Sequence, residues 1–153
     1  SNGNGNFILW PADQQKSAVS IWKHITQTHT IRRLGVLITD SHLSPLRWGT
    51  RGVGIAWCGF EALKDYIGVA DIFGRRLRVT KQNIADGLAA AAVVVMGEGH
   101  EQTPLAIIDD VPFVDFQTRP PTEREVAAMG ISRQKDLFSP LVDSPDWQPG
   151  GVS

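Results

Sequence analysis

The stretch that most restricts this chain is residues 34–55, LGVLITDSHLSPLRWGTRGVGI, where a short apolar run stops at an acid and the sequence turns polar and basic. Leu34, Val36, Leu37 and Ile38 form a brief, β-branched-rich block bounded by turn formers, the pattern of a strand buried on both faces. Asp40 is then expected at its end. Two readings of Asp40 stand. Its carboxylate, followed by the Ser41 hydroxyl and His42, offers hard oxygen ligands for Mg²⁺ or Mn²⁺ and a phosphate at a crevice edge. Alternatively it closes the strand by accepting hydrogen bonds from the turn amides that follow.

Around this strand the pattern alternates between helix and strand. Pro11 and Asp13 suit the positive end of a helix, and Ala18, Ile21, Trp22 and Ile25 form an apolar stripe that should pack on a sheet. His24 and His29 sit near its end and read as solvated. The loop over 41–52 carries Arg47, Gly49, Thr50 and Arg51, whose guanidinium groups and small residues suit an anion, with Trp48 as a possible anchor on the core. A second strand is expected over 53–57, a short helical piece over 61–66, and a turn and strand over 71–80. Thr80 is read as the cap of a helix over 81–96, with Ile84, Leu88, Ala91, Ala92 and Val95 inward and Gly97 as the stop. Its alanines permit close packing on a sheet or a second subunit. A further strand is expected over 103–108, and a short helix over 122–129. GEGHEQ, residues 97–102, reads as a mobile surface loop because of its two glycines, with its two carboxylates and histidine as an alternative metal-binding cluster.

Fifteen basic against sixteen acidic residues leave no charge excess for a polyanion partner, so nucleic acid is not expected. No apolar run approaches the roughly 20 residues that span a bilayer. A cytoplasmic setting is the expectation. The single cysteine, Cys58, excludes an internal disulfide and reads as a buried, inert thiol. The residues alone therefore point to an α+β fold, with an anion or metal site around Asp40 and Arg47. Residues 1–118 are read as one domain, and 119–153 as a short helix and extended arm. No P-loop, CxxC pair, GxSxG elbow or HExxH is present.

The segments GVLITDSHLSPLRWGTRGVGIAWCGFEALKDYIG, DIFGRRLRVTKQNIADGLAAAAVVVMGEG and TPLAIIDDVPFV resemble the coenzyme F420-0:L-glutamate (γ-glutamyl) ligase family in order and spacing. The resemblance implies an α+β fold with a mixed or antiparallel sheet and packed helices, in interwoven homodimers. It also implies use of GTP and Mg²⁺ or Mn²⁺ to join a carboxylate to the amine of glutamate. Asp40 and Ser41 correspond to the family's Asp-Thr metal pair. The family's second metal aspartate falls two residues before the position of Ser1, so a missing N-terminal segment or chain is an expected partner. Where the family carries a loop like RPWREGQTDVAIG, this chain has SPLRWGTRGVGIA: Arg47 and Gly49 match, while Trp48 and Gly52 replace two carboxylates.

Two functions follow from these readings. The first is a nucleotide- and metal-dependent amide ligase acting on a small-molecule acid and an amino acid, with metal on Asp40 and Ser41 and an anion on Arg47, Gly49 and Thr50. The second takes the start SNGNGN as a processed terminus, with the Ser1 hydroxyl as nucleophile and its own α-amine as base in an amidohydrolase or acyl transferase. A binding relative without catalysis is a further alternative.

Overall fold

In the computed structural model, which describes residues 9–144, two helices clamp a single β-hairpin. The first helix, α1, runs Gln14–His29 and begins one residue after its cap: the Asp13 carboxylate accepts the Lys16 backbone N–H at 2.8 Å. Pro11 therefore precedes the helix rather than standing in its first turn. The Trp22 indole donates to the Leu34 carbonyl at 2.9 Å and ties α1 to the entrance of the next strand.

The hairpin pairs β1, Val36–Leu43, with β2, Thr50–Cys58, antiparallel. Both strands are longer than their apolar blocks. Asp40 lies inside β1 opposite Val53, because β2 continues to offer backbone partners as far as Thr50. The sequence pattern followed burial, whereas the ladder follows hydrogen bonding, which polar residues satisfy as well as apolar ones. The expectation that Asp40 ends the strand is corrected accordingly.

A bulge shapes the site. Ile38 pairs with Ala56 but Thr39 pairs with Gly54, so Ile55 is the extra residue. The bulge reverses the facing of β2. Ala56 and Cys58 pack with Ala18 of α1 and with Ile38, while Trp57 packs on the opposite face. Beyond the bulge, Gly52 and Gly54 turn that opposite face toward α2, Ile84–Met96. A Cβ on Gly52 would collide with the Ala89 carbonyl oxygen and would sit 2.6 Å from Val93 Cγ2, so glycine here lets helix and strand backbones touch.

The cap of α2 is Asn83, whose side chain accepts the Asp86 N–H at 2.9 Å, and not Thr80. Residues ahead of it form β4, Lys81–Asn83, paired antiparallel with β3, Leu63–Asp65. The stretch expected as a helical piece is thus a strand, held by the register Leu63 to Asn83. The buried face of α2 is Ile84, Ala85, Ala89 and Ala92. Ala91 and Val95, expected inward, are exposed, because the glycines of β2 draw the alanine side of the helix onto the sheet. The turn at residues 71–74 forms, but the strand expected after it is reduced to a single bridge from Ala70 to Arg76.

Residues 103–108, expected as a strand, have no strand partner among the described residues, and Leu105 and Ile107 are 87% and 95% exposed. The chain then returns to the core. Phe116 bridges Phe60, and the Glu61 and Gln117 backbone amides bond Asp115 and Gly59 carbonyls at 2.9 and 2.8 Å. Helix α3, Glu123–Met129, opens on a Thr122 and Glu125 capping box. A 3₁₀ turn at Arg133–Lys135 and a short helix α4, Ser139–Asp143, follow where an extended arm was expected. The architecture is α+β with small antiparallel sheets. No helix among the described residues is long and apolar enough to cross a membrane.

Candidate active site

The strand geometry sends Asp40 and Ser41 to opposite faces of the hairpin, and each is met there by a side chain from a segment next to a flanking helix, Trp10 ahead of α1 and Glu98 after α2. On the α1 side, the Trp10 indole N–H donates to Asp40 Oδ2 at 2.6 Å. The other carboxylate oxygen, Oδ1, accepts the Ser41 backbone N–H at 2.8 Å. On the α2 side, the Ser41 hydroxyl donates to Glu98 Oε2 at 2.7 Å. Glu98 reaches the strand because Gly97, at φ +81°, turns the chain sharply at the end of α2.

Asp40 and Ser41 border an open cleft of about 490 Å³ whose lining also includes Thr39, Met96, Glu101 and Thr103. Its far wall is braced locally. The Glu101 carboxylate accepts the Gly99 N–H at 2.7 Å, and the Thr103 hydroxyl donates to the Met96 carbonyl at 2.5 Å. The loop 97–102 is therefore a folded wall.

The donor set here is two carboxylates and a hydroxyl, all hard oxygens. No group of three or more His, Cys, Asp or Glu side chains suited to a metal occurs among the described residues. Mg²⁺ ordinarily takes one or two carboxylates and completes its octahedron with substrate phosphates and water, so Asp40 on one face of β1, and the Ser41 hydroxyl with Glu98 on the other, each offer hard oxygens of the kind such a cation takes.

The other expected site residues lie elsewhere. Arg47, Gly49 and Thr50 stand at the hairpin tip, where Thr50 pairs with Leu43, three residues beyond Asp40 along β1, or roughly 10 Å. None of the three lines the cleft. Trp48, expected to anchor the tip on the core, is instead 103% exposed at the turn between β1 and β2. Ser1 lies outside the described residues. Cys58 is fully buried, and burial raises its thiol pKa, as expected of an inert residue. Sequence reasoning left Glu98 and Trp10 unassigned. Glu98 stood in a loop of plausible ligands with nothing to single it out, and Trp10 is 30 residues from the carboxylate it bonds.

The F420-0:Gamma-glutamyl ligase family model matches residues 1–110. Among similar proteins, the coenzyme F420:L-glutamate ligase of Methanococcus maripaludis strain C7 is 45% identical over 117 residues, covering 75% of this chain and 47% of the relative. That of Haloarcula marismortui is 39% identical over 110 residues, 72% of this chain and 42% of the relative. That of Archaeoglobus fulgidus is 38% identical over 104 residues, 68% of this chain and 41% of the relative. The matched part of this chain spans less than half the length of these curated relatives. With a family match across Asp40, Ser41 and Glu98 and identities of this size, the chain belongs to the F420-0:gamma-glutamyl ligase family.

Proposed function

We propose that this chain is part of a nucleotide- and metal-dependent amide ligase that adds an amino acid such as L-glutamate to a small-molecule acid. The observation that supports the reading is that Asp40 and Ser41, adjacent on β1, both line one cleft, with Glu98 bonded to the Ser41 hydroxyl. Asp40 would hold a divalent cation there, which when bound would supply neutralisation of phosphate charge during activation of the carboxylate. The activated species is an acyl phosphate: a carboxylate oxygen of the acid attacks the γ-phosphorus of GTP and GDP leaves. The amino-acid amine then attacks the acyl carbon, phosphate departs, and the amine gives up a proton to solvent.

In this scheme Asp40 is the carboxylate that would hold the cation, and Glu98 adds negative charge from the far side of the strand through its bond to Ser41. Arg47 at the hairpin tip, with Gly49 and Thr50, meets the anionic end of the acid or nucleotide through its forked donors. The remaining donors would come from a further segment or a partner chain. Leu105 and Ile107, exposed and without strand partners among the described residues, offer the edge on which that segment or a second copy of the chain packs in a homodimer.

The test is amide formation by the full-length protein, followed as GDP release that depends on acid, glutamate and Mn²⁺ together. Turnover lost in Glu98→Gln, with the fold intact by circular dichroism, supports the reading. GDP release that ignores the acid, or turnover unchanged by chelator, rejects it.

A further inference from the structure

Asp40 is the residue on which the proposed cation site turns, and both of its oxygens are already held. Oδ1 is held from within the strand by the Ser41 N–H, and Oδ2 is held from outside by the Trp10 indole. An ionised carboxylate has about four lone-pair sites, so each oxygen keeps one for a cation after accepting one hydrogen bond. The indole is a donor only, which suits a group that must fix a carboxylate without competing for the metal. Trp10 comes from the segment just ahead of α1, so its bond also joins the first helix to the hairpin at the cleft mouth. The residue is 58% exposed, more than packing alone would leave for a core tryptophan.

We propose that Trp10 is a positioning residue: its indole N–H fixes the rotamer of the Asp40 carboxylate so that the free lone pairs are presented to a cation at the cleft edge that Asp40 lines. The proposal rests on the metal site put forward above, and makes a claim of its own about this side chain. Without the bond, the carboxylate rotates about its terminal torsion, which is broad. Site affinity then falls by the tenfold to hundredfold typical of losing a hydrogen bond to a metal-binding group.

The experiment is Mn²⁺ titration of the full-length protein with GDP present, reading free Mn²⁺ by electron paramagnetic resonance, for the wild type, Trp10→Phe and Trp10→His. The expected result is Mn²⁺ binding weakened by about tenfold or more in Trp10→Phe, with nucleotide affinity in the absence of metal and Tm both unchanged. Trp10→His, which keeps a ring N–H, falls between the other two. A ring needed only for packing would move Tm and leave the Mn²⁺ titration alone. Wild-type Mn²⁺ affinity in Trp10→Phe, or tighter binding as if a latch had been removed, overturns the inference and leaves the metal site standing. Failure of the wild type to bind Mn²⁺ at all overturns the metal site itself, and the role of Trp10 with it.

Discussion

The Ser41 hydroxyl and the Glu98 carboxylate lie 57 residues apart in sequence and 2.7 Å apart in space, joining the middle of β1 to the turn after α2. The bond closes the cleft mouth from the α2 side, and it makes the two residues a unit. Glu98→Gln removes a charge that a cation would neutralise, whereas Ser41→Ala removes a neutral donor. Both should weaken Mn²⁺ binding, Glu98→Gln by about tenfold or more and Ser41→Ala by less. Because the pair shares one hydrogen bond, the double variant should cost less than the product of the single effects. Isothermal titration of the four proteins with Mn²⁺ and GDP measures this; strictly multiplicative losses would show that the two residues act independently.

The glycine at position 52 is dictated by packing. A side chain there would run into the Ala89 carbonyl and Val93. Gly52→Ala should destabilise the fold by about 1–3 kcal/mol, the usual cost of overpacking, read as a lower urea midpoint with an unchanged slope. A wild-type midpoint would mean that α2 slides off the hairpin at little cost.

What the sequence made legible, and what it hid, follows from this packing. The α1 and α2 helices, the hairpin strands and the buried cysteine each carry a local signal: a cap, an apolar period, a β-branched run. The bulge at Ile55 carries none, yet it decides which residues of β2 face which helix. The same reason explains the error on α2, where periodicity put Ala91 and Val95 inward, while contact with Gly52 and Gly54 selected Ala85 and Ala89. Strands β3 and β4 were missed because three-residue pairings leave no period to read. At the site, Asp40 and Ser41 were visible as a strand-borne pair of oxygen donors. Glu98 and Trp10 became partners only through tertiary contacts.

Arg47 sits at the hairpin tip, away from the cleft lining, so its contribution should separate from that of the cation ligands. Arg47→Ala should raise the KM for an anionic substrate by about tenfold, the loss of one charge-assisted contact of roughly 1.5 kcal/mol, and leave Mn²⁺ affinity in place. Steady-state kinetics beside Mn²⁺ titration distinguishes the two. A fall in Mn²⁺ affinity would mean that the tip folds over the cleft when the site is filled.

Glu125 gives the C-terminal segment its own pH dependence. Its carboxylate accepts bonds from Arg119 Nη1 at 2.7 Å and Nη2 at 2.9 Å, and from the Thr122 backbone N–H at 2.7 Å. The Arg119 bonds, followed by the Thr122 amide, hold it far below the usual carboxylate range. In the unfolded chain Glu titrates near pH 4.3. A carboxyl with a depressed folded pKa binds fewer protons folded than unfolded. It therefore stabilises the protein above the unfolded pKa and loses that contribution as pH falls through the lower, folded value. The fork is partly solvated, with Arg119 at 50% exposure and Glu125 at 31%, so the whole shift is not realised as stability and a contribution of about 1 kcal/mol is expected. Glu125→Gln keeps the size of the side chain and removes the titration. The wild type should be the more stable protein at pH 7, and the gap should close between about pH 5 and pH 2. Asp65 and Asp143, whose carboxyl pKa values are also lowered, titrate in both proteins and cancel in the difference. Urea midpoints of the pair across this range decide the matter: a gap that stays constant with pH would assign the effect of Glu125 to the capping box, with no ionic part.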